Sequence, residues 1–279
     1  MPILPTINII GCGKLGMTLG RLWNDCGAFT IGQVLNRSHH SAAQATSFMH
    51  GGVPIAAITE LQAADVWLIG TPDDDIAAAC ESLAASGLLR HGDIVFHCSG
   101  ALSSSALAAA SACGALVASL HPIRSFADPA EVVQSFTGTY CGAEGDMAAL
   151  ELLNAAFTSI GAQIVHIDPE FKTLYHAAAV FASNYLVTVL DVAVQAYVKA
   201  GIAEETALQL MEPLVRGTVD GVFRLGTTQA LTGPIARGDI ATAVRQFRSV
   251  NAWDERHGVL YKQLGKLTAD IAARRRNKA

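Results

Sequence analysis

Ile7-Asn8-Ile9-Ile10-Gly11-Cys12-Gly13-Lys14-Leu15-Gly16 is the stretch that decides the fold. A short apolar, β-branched run passes directly into three glycines spaced G-x-G-x-x-G, and a helical pattern follows from Lys14 to Cys26. Strand, glycine turn and helix in that order form the fingerprint that receives a dinucleotide pyrophosphate. Gly11 permits the tight turn, Gly13 lets the backbone approach the phosphates, and Gly16 permits close packing of helix on strand. Lys14 and Leu15 belong to the same turn, whose peptide N–H groups and helix dipole favour an anion.

Working outward, short runs that are apolar on both faces recur at Ile31 to Leu35, Val66 to Gly70, Ile94 to Cys98, Leu116 to Leu120, Tyr140 to Cys141 and Gln163 to Ile167. Helical stretches separate them, the pattern of a doubly wound parallel sheet. We therefore expect a Rossmann domain over residues 1–168 and an all-α domain over 169–279. The second half contains no convincing strand, and long apolar stripes at helical spacing run to residue 275. Its first helix is predicted from Pro169 to Ala200, with Gly201 as C-cap, and further helices over Glu204 to Gly217 and Ile240 to Ala273. Asn184, Asp191 and Gln195 interrupt the apolar stretch from Ala177 to Val198, which therefore predicts a buried helix and not a membrane span. Burial on all sides is easiest at a subunit interface, so a homodimer joined through the helical domain is expected.

Composition narrows the function class. The 279 residues are 51% hydrophobic and 15% charged, with net charge -5, which excludes a disordered chain and gives no basic footprint for nucleic acid. Arg274, Arg275 and Arg276 read as a solvated helix end. The six cysteines include no C-x-x-C pair and suit reduced thiols in the cytoplasm, and no secretory signal precedes Thr6. His39, His40, His50, His91 and His257 show no metal-ligand spacing, so no metal is expected. Ser99-Gly100 lacks the context of a nucleophile elbow.

About 20 residues beyond the glycines, the second strand ends without the acid that would bind a ribose 2′-hydroxyl. Asn36, Arg37 and Ser38 stand there instead. Asn36 can bond a ribose, and Arg37 with Ser38 can hold a 2′-phosphate, which favours NADP over NAD. Thr71 and Pro72 after the fourth strand, and Ser99 and Gly100 after the fifth, occupy the sheet edge where the nicotinamide would lie.

Candidate catalytic groups follow. Lys172, His176 and Ser183 share one face of an apolar helix, with Asn184 beside them, and such polar groups need partners or a wet cleft. Lys172 or His176 is placed to give a proton to a substrate oxygen, and Ser183 or Asn184 to hold the substrate. His121 precedes Pro122 at a strand end and is a third acid or anion holder, while Arg124 is either a partner for a carboxylate or a surface residue. Thr232 and Arg237 lie in a Gly- and Pro-rich loop that is either a structured turn or has a substrate-facing or interdomain role, and Asp239 is placed to cap the following helix.

Several motifs together resemble a known group: the glycine turn, His97-Cys98-Ser99-Gly100-Ala101, Leu120-His121-Pro122-Ile123, Lys172-Thr173-Leu174-Tyr175-His176-Ala177-Ala178 with Asn184, and Leu231-Thr232-Gly233-Pro234-Ile235-Ala236-Arg237-Gly238-Asp239. The chain resembles the bacterial Rossmann-like family, assigned to oxidoreductases by its fold, whose C-terminal half is a domain of unknown function. The resemblance implies a fold similar to 6-phosphogluconate dehydrogenase, pyrroline-5-carboxylate reductase and ketopantoate reductase. The His-Pro pair is similar to that of prephenate dehydrogenases, and the likeness to ketopantoate reductases supports Lys172 as the acid. The expected activity is hydride transfer between NADP and a small carbonyl compound, a 2-keto or hydroxy acid such as ketopantoate. The alternatives are imine reduction and a non-catalytic NADP-binding sensor.

Overall fold

A computed structural model describes residues 4–276. Eight strands form one sheet: β1 (Thr6–Ile10), β2 (Thr30–Leu35), β3 (Val53–Ile55), β4 (Val66–Ile69), β5 (Ile94–His97), β6 (Leu116–Pro122), β7 (Tyr140–Gly145) and β8 (Gln163–His166). Their order is β3-β2-β1-β4-β5-β6-β7-β8, and every neighbouring pair is parallel except β6 with β7. The order reverses between β1 and β4, so the loops after these strands diverge and leave the crevice where open α/β sheets bind ligands.

The helices of this unit are α1 (Lys14–Cys26), α2 (His39–Met49), α3 (Asp73–Ala85), α4 (Ala108–Ala112), α5 (Pro129–Ser135), α6 (Met147–Ser159) and α7 (Lys172–Ala182). Strand alternation divides the core between the two sheet faces. Val66 and Leu68 join a cluster with residues of α1 and α6, while Trp67 and Ile69 join another with residues of α3 and α4. Trp23 anchors the first cluster: its ring meets Phe29, Phe96 and Phe157 edge-on and its Nε1 donates to the Ala156 carbonyl at 3.1 Å.

The chain divides into compact units Met1–Phe181 and Ala182–Ala279, so the first unit extends past the expected boundary at 168. The reason is α7, whose first turns bury Lys172 against the sheet. The second unit contains α8 (Asn184–Lys199), α9 (Glu204–Leu225), α10 (Thr227–Ala230), α11 (Pro234–Arg237), α12 (Ile240–Trp253) and α13 (Glu255–Arg276). Two expected helices are divided. The first breaks at Ser183, where φ is -121° and ψ -71°, and the last breaks at Asp254, whose carboxylate caps the His257 N–H at 3.0 Å. Gly201 has the positive φ of its expected capping role, and α9 runs eight residues beyond Gly217.

In the single chain much of the apolar stretch from Ala177 to Val198, expected to be buried at a subunit interface, is exposed. Phe181 is 67% exposed and Val187 66%. Residues 169–199 are long and apolar enough to cross a membrane. The break at Ser183 and the polar residues Asn184 and Asp191 interrupt that length.

Candidate active site

The glycine turn sits at the sheet's switch point. Gly11 has φ +82°, and a Cβ there would lie 2.6 Å from the Thr71 backbone nitrogen, so the turns after β1 and β4 touch through it. A Cβ on Gly13 would meet no protein atom within 4 Å, so protein packing does not require glycine there. Gly16 is buried against Cys12 and Ile9, as close helix-on-strand packing demands. Leu15 packs on the core, and the exposed Lys14 donates to the Ala127 carbonyl at 2.6 Å. Beside the turn, the Thr71 hydroxyl oxygen is buried without a hydrogen-bond partner among the described residues, and exposed Pro72 is the N-cap of α3.

Asn36 does not reach outward, as a ribose contact requires. Its Oδ1 accepts from the Cys12 N–H at 2.6 Å and its Nδ2 donates to the Cys12 carbonyl at 3.2 Å. The side chain thus braces the glycine turn from β2, and the pair of bonds fixes which way its amide faces. Ser38 is the N-cap of α2, accepting from the Ser41 N–H at 3.2 Å. Arg37 is exposed and makes no hydrogen bond or ion pair among the described residues. A guanidinium beside a helix N-terminus can attract an anion.

The other cluster is built on the antiparallel step. Ser119 pairs with Glu144, and His121 with Gly142, so two successive cross-strand pairs share one face of β6 and β7. One face of α7 lies over both, because residues three and four apart point the same way on a helix. Lys172 Nζ donates to Ser119 Oγ at 2.7 Å and to Glu144 Oε1 at 3.3 Å, and Tyr175 OH lies 3.0 Å from His121 Nδ1. A Cβ on Gly142 would lie 2.8 Å from the Tyr175 ring carbon Cζ, so glycine makes room for the phenol.

Lys172 is therefore not in a wet cleft. It is 1% exposed, and its carboxylate partner Glu144 also accepts from the Ser104 N–H and Oγ at 2.9 and 2.7 Å. Burial pulls the lysine below its ordinary range, against the opposing pull of Glu144. His97 extends the row, pairing with Ser119 in register. Its Nε2 lies 3.1 Å from the Ser103 carbonyl and must donate, which leaves Nδ1 to accept from the Ser99 N–H at 3.1 Å. Burial pushes His97 down, consistent with this neutral tautomer. Ser99 Oγ donates to Asp73 at 2.7 Å and accepts from the Ala101 and Leu102 N–H groups, holding the turn after β5.

His121 and His176 converge on Gly100. A Cβ there would collide with His176 Nδ1 and lie 2.8 Å from His121 Nε2, and the two imidazoles meet edge-on at 5.6 Å. His176 Nδ1 is buried without a hydrogen-bond partner among the described residues. Burial, reinforced by His176 and Lys172, pushes His121 down to about 4, and burial pushes Tyr175 up to about 12. Arg124, by contrast, is half-buried and donates through its two terminal nitrogens to Ser135 and Thr139, while its Nε is buried with no hydrogen-bond partner among the described residues. Ser183 and Asn184 open the second unit on its surface. Thr232 and Arg237 are exposed there too, around the short α11, and Asp239 caps α12 through the Thr242 N–H at 3.0 Å.

The structure thus adds Tyr175, Glu144, Ser119, His97 and Asp73 to the site. Tyr175 was available from sequence, three residues after Lys172 and next to His176. Glu144 was not, because the sequence pattern ends its strand at Cys141.

Residues 3–122 match the family model of a Rossmann-like domain and residues 139–268 that of DUF2520, a domain of unknown function. No functionally curated protein matches the sequence. Among solved structures, protein TM1727 from Thermotoga maritima is 29% identical, with TM-score 0.76, over 97% of this chain and 99% of that one. BF3122 from Bacteroides fragilis, provisionally named an NADP oxidoreductase, is 20% identical, with TM-score 0.73, over 96% and 98%. The imine reductase from Myxococcus stipitatus in complex with NADP+ shares the fold at 15% identity and TM-score 0.64, over 99% and 95%. The chain accordingly belongs to the family in which a Rossmann-like domain is followed by a DUF2520 domain.

Proposed function

We propose that the protein is an NADP-dependent oxidoreductase acting on a small carbonyl or imine compound, with 2-keto acids such as ketopantoate among the carbonyl substrates. The observation that carries this reading is the convergence of His121 and His176 on Gly100, at the carboxyl edge of the sheet whose switch point bears the glycine turn. The residues fit a dinucleotide. Gly13 has no packing role, the Thr71 hydroxyl lacks a partner, and the N-terminus of α1 faces the same crevice. Gly11, Gly13 and the first turn of α1 would hold the pyrophosphate, and Arg37 with the N-terminus of α2 the 2′-phosphate. When bound, the cofactor supplies the hydride. Proton handling falls to His121 and His176, because Lys172 is buried against Ser119 and Glu144. The NADP-bound or NADP-named relatives support this reading through their fold.

A cytoplasmic setting fits the six free cysteines. A second copy is the partner we favour for the exposed apolar surface of the second unit: Val187 and Leu214 are exposed, and an apolar groove of about 410 Å³ between α8, α12 and α13 is lined by Val189, Val192, Val250 and Leu264. Sedimentation of the purified chain should show a dimer.

Calorimetric titration of the wild type and Arg37→Ala with NADPH and NADH tests the cofactor assignment. NADPH should bind more tightly, and the substitution should weaken it about 10- to 100-fold, the worth of a charge-assisted contact, while NADH changes little. Equal losses would remove Arg37 from the 2′-phosphate. Tight NADPH binding without turnover of any 2-keto acid or cyclic imine would favour a sensor.

A further inference from the structure

Resting on the reading of a second copy as the partner, we infer that the helical unit is one half of a twofold interface, in which an acid-rimmed groove of each copy receives a base-rimmed groove of the other. The unit has almost no core of its own. Among its described residues only Ala207, Met211, Gly258 and Ala272 are buried, and neither apolar cluster of the sheet includes a residue of it. Leu208, Leu214, Val244 and Leu267 are all exposed. Helices in proteins are held mainly by burying an apolar face, so a unit with these side chains in water lacks most of the force that would order it.

Three grooves succeed one another across the unit. The first, of about 880 Å³, runs between α8 and α9. The middle one is the groove of about 410 Å³ between α8, α12 and α13, and the third, of about 540 Å³, lies between α11, α12 and α13. Helix α8 divides the first from the middle. Val187 and Val194 line the one, Val189 and Ala196 the other, and the two-residue offset sets the pairs about 200° apart on the helix. Helix α13 divides the middle from the third, with Tyr261 and Gly265 lining both.

Their charges run in order. The first groove is lined by Asp191, Glu204, Glu212 and Asp220, and its one cation, Arg216, is held by Glu212 at 2.8 Å. No Asp, Glu, Lys or Arg lines the middle groove. Lys262, Lys266 and Arg276 line the third, without an acid. A surface that is acidic at one end, neutral in the middle and basic at the other is complementary to itself. A twofold axis through the middle groove sets each acidic end against a basic end and packs apolar floor on apolar floor. A different protein would have to carry the reverse order of charge to fit; a second copy already does.

The experiment is sedimentation equilibrium of the full chain and of two variants, Lys262→Glu with Lys266→Glu and Asp191→Lys with Asp220→Lys. All four side chains are exposed, so neither variant disturbs a core. The wild type should be a dimer that loosens as salt rises, because charges at the rim of an interface are screened. Each variant alone sets like charges together and should weaken association about 100-fold or more. An equimolar mixture of the two should restore it, since every altered end then meets its opposite, and far-ultraviolet dichroism should regain helicity on mixing if a variant loses it alone. A wild-type monomer would refute the second-copy reading itself. A dimer indifferent to salt and to both variants, or variants that separate and do not reassociate when mixed, would overturn the pairing of the grooves and leave the dimer standing. The salt response of the wild type decides without any variant.

Discussion

Replacing Glu144 by Gln keeps the shape of the side chain and removes one charge from a pair that is almost wholly shielded from water. Lys172 and Glu144 are each 2% exposed at the side chain, with Nζ and Oε1 3.3 Å apart. The ammonium would retain the Ser119 hydroxyl but lose its only counter-charge among its described contacts. Breaking a buried pair by removing one partner costs about 3–5 kcal/mol. Against a total stability of about 5–15 kcal/mol this is a large fraction, and with a urea slope of about 3 kcal/mol/M it lowers the midpoint by about 1 M or more. Near-ultraviolet dichroism in urea follows the first unit through buried Trp23 and Trp67. Adding Lys172→Met to Glu144→Gln removes both charges and should recover most of the loss, because an apolar replacement of a buried pair is close to neutral. Burial already holds the folded lysine below its ordinary pKa, and losing Glu144 lowers it further. The unfolded chain then binds more protons as pH rises through the folded pKa, so the deficit of Glu144→Gln should shrink with rising pH. An unchanged midpoint in the single variant, or a double variant weaker than the single, would refute this account of the pair.

Two further outcomes follow from the same geometry. His121 is held at about 4 against an ordinary 6.5, so the folded state resists a proton that the unfolded state accepts. Stability is full above pH 6.5 and falls as pH drops toward 4, by an amount on the order of 3 kcal/mol, and urea midpoints of His121→Gln should lose that dependence. Asn36→Ala strips two bonds from the Cys12 peptide and should cost about 1–3 kcal/mol of local order; calorimetry should show NADPH and NADH weakened alike, unlike the selective loss expected for Arg37→Ala.

The glycine turn, the doubly wound sheet and the helical second half were legible because each rests on local chemistry: a strand running into three glycines, and apolar runs alternating with helical periodicity. β3 escaped notice because it has three residues, one of them Pro54. Lys172 was misplaced for a different reason. Helical spacing shows which residues share a face but not what that face meets, and its partner Glu144 lies in the half of β7 that the apolar pattern cuts off. Asn36 was likewise correctly placed at the end of β2, but its amide turns back to the Cys12 peptide, a contact across 24 residues that no local pattern encodes. The break at Ser183 occurs without glycine or proline, and no physical cause for it is evident in the sequence.

The antiparallel step of β6 and β7 has a consequence for how this fold tolerates insertions. Because strand residues alternate faces, deleting Cys141 with Tyr140 held in register would turn Gly142 and Glu144 to the opposite side of the sheet together. Tyr175 would then meet a side chain where it has room for none, and Lys172 would lose its counter-charge in the same event. The loop between β6 and α5 carries no such constraint, since its length does not set the pairing of Ser119 with Glu144. Length variation in this part of the molecule should therefore accumulate between residues 123 and 128 and be absent from 140 to 145, a contrast that a scan of single-residue deletions can read directly.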